Sequence, residues 1–474
     1  MWQWLNDALH EFRHCFSNKR TFACFVIIVV GMMIRADHLG LTSIVRELSL
    51  MPSYYTAILH FFRADSWCIS QLQKAWLYFL VKLPLYRVDG RPVMVGDGLK
   101  QSKEGRHMPG VKKLHQESEN SSKGEYIFGH MFGGIGLLVG DITSKLYCVL
   151  ISLKLHDGLQ AIHGWDQEEG YEEESHVVKT IKDAIDAVRV LGASLLLLDS
   201  LYLTKPMLKA LAGCPLLHVV TKAKSNAKAF YEPKPKTKKG PGAPLKRGEK
   251  ISISSLFTDK ANEFVTGRVM MYGKMQDVSY YCVDLLWGEK LYKKLRFVLT
   301  FIDGKKTILV STDLTLLPET IIALYCCRFK IECSFRELKQ VIAGLGYRFW
   351  SKHMPKLNKY INNDDSQAKL ESITNERIRE NIEAAVRAID CHALLGCIAL
   401  GLLQIISIQF ADVFTGSAVR FMRTVSNAVP SEATVAHFMR KNIYKLFHFF
   451  PDLALTRIIS ERQLVDFDTP GLTA

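Results

Sequence analysis

Paired cysteines are what this sequence most clearly lacks. Its eleven cysteines are scattered, and no two have the C-x-x-C spacing, which argues against a zinc site and against a disulfide framework. Cys326, Cys327 and Cys333 fall on one predicted helix without His or Cys partners at metal-ligand spacing. We therefore interpret the cysteines as small packing residues in a reducing compartment, and we expect the protein in the cytoplasm.

The N-terminal apolar run is too short to span a membrane. Phe22–Ile34 has thirteen residues, fewer than a bilayer requires, and no small-residue cleavage site follows it. A signal-like anchor is the alternative, because Lys19 and Arg20 precede the run. We predict a buried helix here and no membrane partner.

Acidic residues are in deficit. Asp and Glu number 47 against 61 Lys and Arg, which gives a net charge of +14 and a pI near 9.1. This excess favours a polyanionic partner, nucleic acid before a membrane surface. The remaining composition, 48% hydrophobic and 23% charged, is typical of a globular chain with room for roughly two to four domains.

Changes in the pattern of apolar and polar residues divide the chain into five parts. The predicted parts are a helical N-terminal region at 1–84, a mixed α/β core at 85–250, a β-rich insertion at 251–315, a further core helix at 316–350, and a linker with a helical C-terminal region at 351–474. In the last part, the apolar stretch Ala393–Phe410 is predicted to form a core.

A helix pair in the N-terminal region could bind DNA. Thr42–Leu50 and Ser53–Ala64 flank Met51-Pro52 and predict helix, turn and helix, with Thr42 or Ser43 capping the first helix and Ser53 the second. An ordinary helical hairpin has the same pattern. The side chains that would face a DNA backbone are Arg46, His60 and Arg63.

The core begins with strand signals. Arg91–Asp97 predicts a short strand ending in Gly96-Asp97-Gly98, and polar residues 99–124 predict a long loop. Glu125–Val139 and Lys145–Leu153 predict two more strands, which would complete an antiparallel meander.

A strand–helix–strand pattern follows the meander. The helix His176–Leu191 leads into Ala193–Asp199, a continuous apolar run of the kind that forms buried parallel strands. A helix at Thr204–Leu211 and a strand at Leu216–Lys222 come next. Together with the meander they predict a mixed sheet flanked by helices.

A basic segment and an alternating segment come after this sheet. Residues 232–250 contain seven Lys or Arg, four Pro and three Gly, and they are predicted to be either a solvated linker or a clamp on a DNA backbone. Residues 251–315 alternate as strands do, with Asp303-Gly304 as a hairpin turn. Residues 358–375 are polar and predict a linker.

The segment Pro318–Ala343 predicts one helix around which the chain is organised. Pro318 suits a first turn, and no Gly or further Pro follows until Gly344. One face is apolar, with Leu324, Cys327, Ile331, Phe335 and Leu338. The neighbouring face carries Tyr325, Arg328, Glu332, Arg336 and Lys339. An ordinary salt-bridged amphipathic helix is the alternative to a functional face.

Three carboxylates could converge on a metal ion. Asp97 and Asp199 each end a predicted strand, where side chains leave the packed sheet, and Glu332 lies on the central helix. Carboxylates brought together repel unless cations neutralise them, and hard oxygen ligands suit Mg²⁺ or Mn²⁺. Two such ions can activate a water and stabilise a leaving oxygen in phosphodiester cleavage.

Each of these residues also has a simpler interpretation. Asp97 between two glycines could form a turn, and Asp199 could cap the following helix. The acidic run Glu172–Glu174 is a competing metal site, or else a solvated face. His130 is predicted to be structural.

At this point the chain resembles the bacterial insertion-sequence transposases of the DDE class that carry the Tyr-Arg-Glu-Lys signature, Y-x2-R-x3-E-x6-K. Tyr325, Arg328, Glu332 and Lys339 have that spacing. The segments VMVGDGLK around Asp97, LLLLDSLY and KKGPGAPLKRGEK also resemble the family. The resemblance covers roughly residues 85–350.

This resemblance implies a ribonuclease-H-like core interrupted by the β-rich insertion. It implies Asp97, Asp199 and Glu332 as the catalytic triad that binds Mg²⁺ or Mn²⁺, as two ions. It implies that Tyr325, Arg328 and Lys339 hold DNA phosphates near the cut.

The resemblance further implies DNA cleavage at the element ends, strand transfer to target DNA, and a homodimer in the synaptic complex in a bacterial nucleoid. Some relatives stack a purine on a Trp of the insertion, for which Trp287 is a possible counterpart without an aligned motif. The alternatives are a metal-dependent nuclease without strand transfer and an inactive DNA-binding derivative.

Overall fold

One mixed sheet runs through the described part of the protein. The computed structural model describes residues 1–116, 124–167, 171–234, 245–357, 368–414 and 429–464. Parts of the predicted basic loop (235–244) and of the predicted linker (358–367) lie outside these residues. The strands within them are β1 (Arg87–Val88), β2 (Arg91–Ser102), β3 (Lys112–His115), β4 (Tyr126–Gly140), β5 (Leu146–Leu155), β6 (Ser194–Leu197), β7 (Leu217–Lys222), β8 (Lys228–Phe230), β9 (Lys250–Ser252), β10 (Val265–Met271), β11 (Lys274–Trp287), β12 (Lys293–Ile302) and β13 (Lys305–Ser311).

The sheet is antiparallel at both ends and parallel in the middle. Its order is β3-β4-β2-β6-β7-β13-β12-β11-β8-β9, with β1 on β2, β5 on β4 and β10 on β11. β6 lies between β2 and β7 and is parallel to both, whereas β2, β4 and β5 form the predicted antiparallel meander. The prediction of a mixed sheet is confirmed.

Helices flank this sheet and form both terminal regions, as predicted. They are α1 (Trp2–His10), α2 (Lys19–Ile34), α3 (Leu41–Glu47), α4 (Tyr54–Phe61), α5 (Ile69–Val81), α6 (Gln160–Gly164), α7 (His176–Leu191), α8 (Lys205–Leu211), α9 (Leu256–Asp259), α10 (Pro318–Cys327), α11 (Lys330–Gln340), α12 (Glu376–Gln409), α13 (Glu432–Phe449) and α14 (Ala454–Ser460). The architecture is that of a ribonuclease-H-like α/β fold with helical ends.

Two apolar helices, α2 and α12, lie within the hydrophobic core. Every residue of Phe22–Ile34 is buried in α2, so the prediction of a buried helix is confirmed. Of the described helices, α12 is long and apolar enough to cross a membrane, but 94% of its apolar window is buried inside the protein. Since α12 packs against β5 and α2, it serves as the core helix that Ala393–Phe410 predicted.

The strands predicted as an insertion extend the core sheet. Asp303 and Gly304 have positive φ and form the predicted turn between β12 and β13. β13 then pairs with β7, from Leu309↔Lys222 to Ser311↔Val220. Residues 251–315 are therefore continuous with the core, because β13 covers an edge of β7 that would otherwise present unpaired backbone groups.

The first core strand is longer than predicted. β2 continues to Ser102 because β4 pairs with it as far as Ser102↔Gly129. Asp97 consequently lies within a strand, and the prediction that the strand ends there was wrong. The prediction of a loop over 99–124 was wrong for the end of β2 and for β3, while 117–123 lie outside the described residues.

The central helix is divided in two, so the prediction of one helix over Pro318–Ala343 was wrong. α10 ends at Cys327 and α11 begins at Lys330. Between them the N–H of Arg328 donates to the carbonyl of Tyr325 at 3.1 Å, a tighter three-residue hydrogen bond. The break falls at Arg328, whose side chain is held by tertiary ion pairs. Local sequence, which contains no Gly or Pro here, did not indicate it.

The predicted N-terminal helix pair is present as α3 and α4, with different caps. Gly40, and neither Thr42 nor Ser43, precedes α3, and the buried Ser43 hydroxyl donates to the Gly40 carbonyl at 2.8 Å. Ser53 precedes α4 but makes no capping side-chain hydrogen bond. Arg46 forms an ion pair within the helical region. DNA binding by this pair stays a prediction.

Candidate active site

Asp97 and Asp199 lie at the same end of the parallel pair formed by β2 and β6. β2 and β6 are parallel, and their pairing ends at Val95↔Leu197. Each aspartate lies two residues beyond its member of that last pair, so both are delivered to one edge. The Thr221 hydroxyl donates to the Asp199 carbonyl at 2.8 Å. Asp199 makes no helix-capping side-chain hydrogen bond to the turn that follows, so the capping interpretation finds no support.

The Arg328 guanidinium joins Asp97 to the central helices. Its Nη1 donates to Asp97 Oδ2 at 3.3 Å, and its Nη2 donates to Glu332 Oε1. The Arg328 side chain is 16% exposed and that of Glu332 is 55% exposed. The structure thus places two of the three predicted carboxylates beside one partly buried cation, with Glu332 at the solvent side.

The pKa of Asp97 is shifted by burial and by the neighbouring charges. Burial raises it to about 6, opposed by the Arg328 charge and by the Gly98 N–H, which donates to Asp97 Oδ1 at 2.8 Å. The charges of Asp199 and Glu332 raise the pKa of Asp97 further. Carboxylates from three distant parts of the chain therefore face one region.

The apolar side of α10 and α11 fixes how closely these helices approach the sheet. The predicted stripe is buried throughout: Leu324, Cys327, Ile331, Phe335 and Leu338. A Cβ on Gly134 would lie 2.7 Å from the ring of Phe335, and Gly134 pairs with Asp97 across β2 and β4. The glycine therefore allows the helix to pack beside Asp97.

The other predicted phosphate-binding residues lie on the same helices. Burial raises the pKa of Tyr325, which keeps its phenol protonated. The Lys339 ammonium donates to the Lys100 carbonyl on β2 at 2.9 Å. Arg336, which is outside the signature, is exposed and pairs with Glu337.

The N-terminal half of the chain, including two of the three carboxylates, matches a known family. The family model of the DDE superfamily endonucleases matches residues 11–265, more than half of the chain. The chain belongs to the DDE endonuclease superfamily. The matched residues include Asp97 and Asp199 and stop before Glu332, so the third carboxylate depends on the motif and on the geometry. No curated protein matches the chain.

Divalent metals are typical of DDE endonucleases, and the donor chemistry of this site fits them. Three carboxylates supply the hard oxygens that Mg²⁺ and Mn²⁺ prefer. The side chains are not arranged as metal ligands in this structure: within the described ranges, no group of three His, Cys, Asp or Glu side chains is positioned to hold an ion. Arg328 is bonded to Asp97 and Glu332 instead. An ion shared by these two carboxylates would have to displace the guanidinium.

The competing acidic run is engaged in ion pairs. Glu173 lies 2.7 Å from the Lys179 ammonium and 3.2 Å from His163 Nδ1. Glu174 pairs with Lys182 at 2.5 Å. These contacts pair Glu173 and Glu174 with cations of the protein; the Glu174 side chain is 46% exposed and that of Glu173 is 10% exposed, so the run is solvated only in part.

A chain of buried polar side chains behind Asp97 had no sequence signal. His156 Nε2 lies 2.9 Å from Asp183 Oδ2, His156 Nδ1 lies 3.0 Å from His176 Nδ1, and His176 Nε2 lies 2.8 Å from the Tyr202 hydroxyl. A Cβ on Gly98 would meet His176 Nε2 at 2.9 Å. The network therefore packs directly against the residue after Asp97 and ends three residues after Asp199. Its members belong to the segment just after β5, to α7 and to the turn after β6, and no local motif unites them.

Trp287 lies at a cavity beside the second aspartate. A cavity of about 400 Å³ is lined by Trp287, by Ser200 and Thr204 from the turn after Asp199, and by Lys205 and other lysines.

His130 is fully buried, with Nδ1 2.5 Å from the Tyr347 hydroxyl and Nε2 2.9 Å from the Pro109 carbonyl. Its environment agrees with the predicted structural role.

Proposed function

We propose that this DDE endonuclease is a transposase, which cuts DNA at the ends of an insertion sequence and joins the freed ends to a target. The observation that carries the proposal is the meeting of Asp97, Glu332 and Arg328, with Asp199 in electrostatic range. β2, the segment after β6 and α11 carry the three carboxylates that the resemblance implies, and their placement supports the proposal.

Different side chains would bind the phosphate and the metal ions at a scissile phosphodiester. Arg328 can donate two parallel hydrogen bonds to a phosphate once it leaves the carboxylates, and Lys339 supplies a point charge beside β2. The partly buried, protonated phenol of Tyr325 can donate one hydrogen bond. Asp97, Asp199 and Glu332 would hold Mg²⁺ or Mn²⁺, whose chemistry when bound is water activation and leaving-oxygen stabilisation.

The test is cleavage and joining by the purified full-length protein. The DNA that flanks the gene supplies candidate element ends, which are incubated with the protein, a target plasmid and Mg²⁺. Cleaved and joined products support transposition, whereas cleavage without joined products would identify a nuclease. Shifted but uncut DNA would identify an inactive binding protein.

The triad assignment is tested by single substitutions. Asp97→Asn, Asp199→Asn and Glu332→Gln are each expected to abolish cutting and to leave DNA binding, because each removes an anionic oxygen donor. Glu337→Gln is the matched control, since Glu337 lies on the same helix and pairs with Arg336 outside the site. Retained cleavage in a triad variant would remove that residue from the site.

Two protomers are proposed to act on paired ends. Size-exclusion chromatography with light scattering on the protein–DNA complex measures this stoichiometry, and a complex of one protomer with one DNA end would contradict it.

A further inference from the structure

A second cavity, larger than the one at Trp287, lies where β2 ends. Its volume is about 790 Å³, and it is bounded by the chain after β2 and by the chain after α11. The lining side chains used below are Lys103, Arg106, Lys339, Arg348 and Trp350. Of these, only Lys339 belongs to the signature.

The cavity is strongly cationic. Four of its lining side chains are Lys or Arg, two are His, and one, Glu104, is acidic. Clustered cations of this kind are the usual means of holding nucleic-acid phosphates. The charge therefore selects a polyanionic ligand.

Lys103 is fixed in the wall of the cavity. Its ammonium donates to the carbonyls of Leu345 at 2.7 Å and Tyr347 at 3.1 Å, and it lies 3.5 Å from the centre of the Tyr347 ring. Burial, and then the charge of Arg348, lower the pKa of Lys103 to about 7. A phosphate beside it would favour the charged form.

Trp350 adds an aromatic surface to these cations. The side chain lines the cavity and is 55% exposed, which leaves a ring face accessible. Exposed aromatic rings among cations bind single-stranded nucleic acid, because unpaired bases stack on them while the cations follow the backbone. A cavity of this volume has the size of a small-ligand site.

The cavity lies close to the candidate active site along β2 and α11. Lys339 lines it and also donates to the Lys100 carbonyl, and Gln101 lines it four residues beyond Asp97 on the same strand. At about 3.3 Å per strand residue, this separation is roughly 13 Å. A stacked DNA strand, at about 3.4 Å per nucleotide, covers that distance in about four nucleotides.

We propose that this cavity binds an unpaired strand of the DNA substrate about four nucleotides from the cut, with a base stacked on Trp350 and phosphates held by Lys103, Arg106 and Arg348. This inference rests on the proposed function, because it places the strand relative to Asp97. It adds a specificity for unpaired DNA that the signature residues do not supply.

The test is binding of tailed and blunt duplexes by the full-length protein without divalent cations. Fluorescence anisotropy measures Kd for one labelled duplex bearing no tail or a tail of two, four or eight thymidines. We expect affinity to rise when the tail reaches about four nucleotides. Trp350→Ala should weaken binding of the longer tails by about 5- to 150-fold and leave blunt-duplex binding unchanged. Trp350→Tyr, which keeps a ring, should retain most of the gain.

Tyr78→Ala is the matched control, because Tyr78 is a similarly exposed aromatic residue (52%) on α5, outside this cavity. It should leave tail binding unchanged. Cross-linking from 5-iodouracil in the tail to Trp350, located by mass spectrometry, gives a second readout that does not depend on affinity.

Three results would overturn the inference: equal binding of tailed and blunt duplexes, an unchanged tail effect in Trp350→Ala, or a greater gain from a uridine RNA tail than from the DNA tail. Failure of the proposed function is distinguishable from these. In that case tail binding and the Trp350 effect would persist while no DNA is cut.

Discussion

Replacing Arg328 with methionine is expected to tighten the binding of Mg²⁺ or Mn²⁺ by the protein without DNA. In the structure the guanidinium is bonded to Asp97 and Glu332, two of the three carboxylates proposed to hold the ion. A cation can join them only after these bonds break. Arg328→Met removes the competing charge and keeps a side chain of similar length.

The size of the effect follows from the two ion pairs. At 3.3 Å and an effective dielectric constant of about 20, the Arg328–Asp97 attraction is roughly 5 kcal/mol. Solvation that both groups regain on separating offsets much of it, and the half-exposed pair with Glu332 contributes at most about 1 kcal/mol. The net free energy needed to break the two ion pairs is then about 2 kcal/mol, which corresponds to a roughly 30-fold tighter Kd for the metal ion in the variant.

Isothermal titration calorimetry with Mn²⁺ at pH 8 measures this difference while Asp97 is ionised. Arg336→Met is the matched control, because Arg336 lies on the same helix and pairs with Glu337 away from the carboxylates. It should leave the affinity unchanged. Adding Asp97→Asn to Arg328→Met should cancel the gain and so locate the ion.

Equal or weaker Mn²⁺ binding by folded Arg328→Met would refute this reasoning. It would mean either that the guanidinium and the ion do not compete for the same carboxylates, or that these carboxylates do not hold the ion. DNA binding offers an independent comparison, since loss of the guanidinium should weaken phosphate contacts while metal affinity rises.

Three further changes test other parts of the structure. Tyr202→Phe removes the hydroxyl 2.8 Å from His176 Nε2, so urea unfolding should show a loss of about 1–3 kcal/mol, and an unchanged stability would contradict the buried network. Arg35→Leu leaves buried backbone carbonyls after α11 without their guanidinium donor, and we expect a loss of about 3–5 kcal/mol in the same assay, with Arg46→Leu as an exposed control. Burial raises the pKa of Asp390 to about 6 from 3.8; its ionised form is disfavoured in the fold, so wild-type stability falls as pH rises through 6. The unfolding free energy of Asp390→Asn relative to wild type should therefore increase by roughly 2 kcal/mol from pH 4 to pH 8, and a pH-independent difference would refute the assignment.

Several elements could be predicted because they are determined by local pattern. The helix His176–Leu191 has its predicted bounds, and the core strands from Tyr126 to Lys222 begin and end within two residues of prediction. The length of the apolar run Phe22–Ile34, too short to span a bilayer, favoured the buried helix that the structure contains. The buried stripe of α10 and α11 follows from helical periodicity alone.

The sequence proposed the residues of the candidate site but gave no indication of how they are bonded to one another. Strand ends and signature spacing indicated Asp97, Asp199 and Glu332, but the break at Arg328 and its bridge between two carboxylates depend on where β2 lies relative to the helices. The His156–His176–Tyr202 network likewise joins three elements, so that no stretch of sequence contains its pattern.

By itself, the sequence determined which segments become helices or buried strands and which side chains could carry phosphate chemistry, because these properties repeat over a few residues. Only the tertiary structure decided that β13 joins β7 in one sheet, that Arg328 lies between carboxylates, and that Trp350 borders a cationic cavity. Those outcomes depend on contacts between residues far apart in the chain, where edge pairing, burial and charge neutralisation are settled jointly.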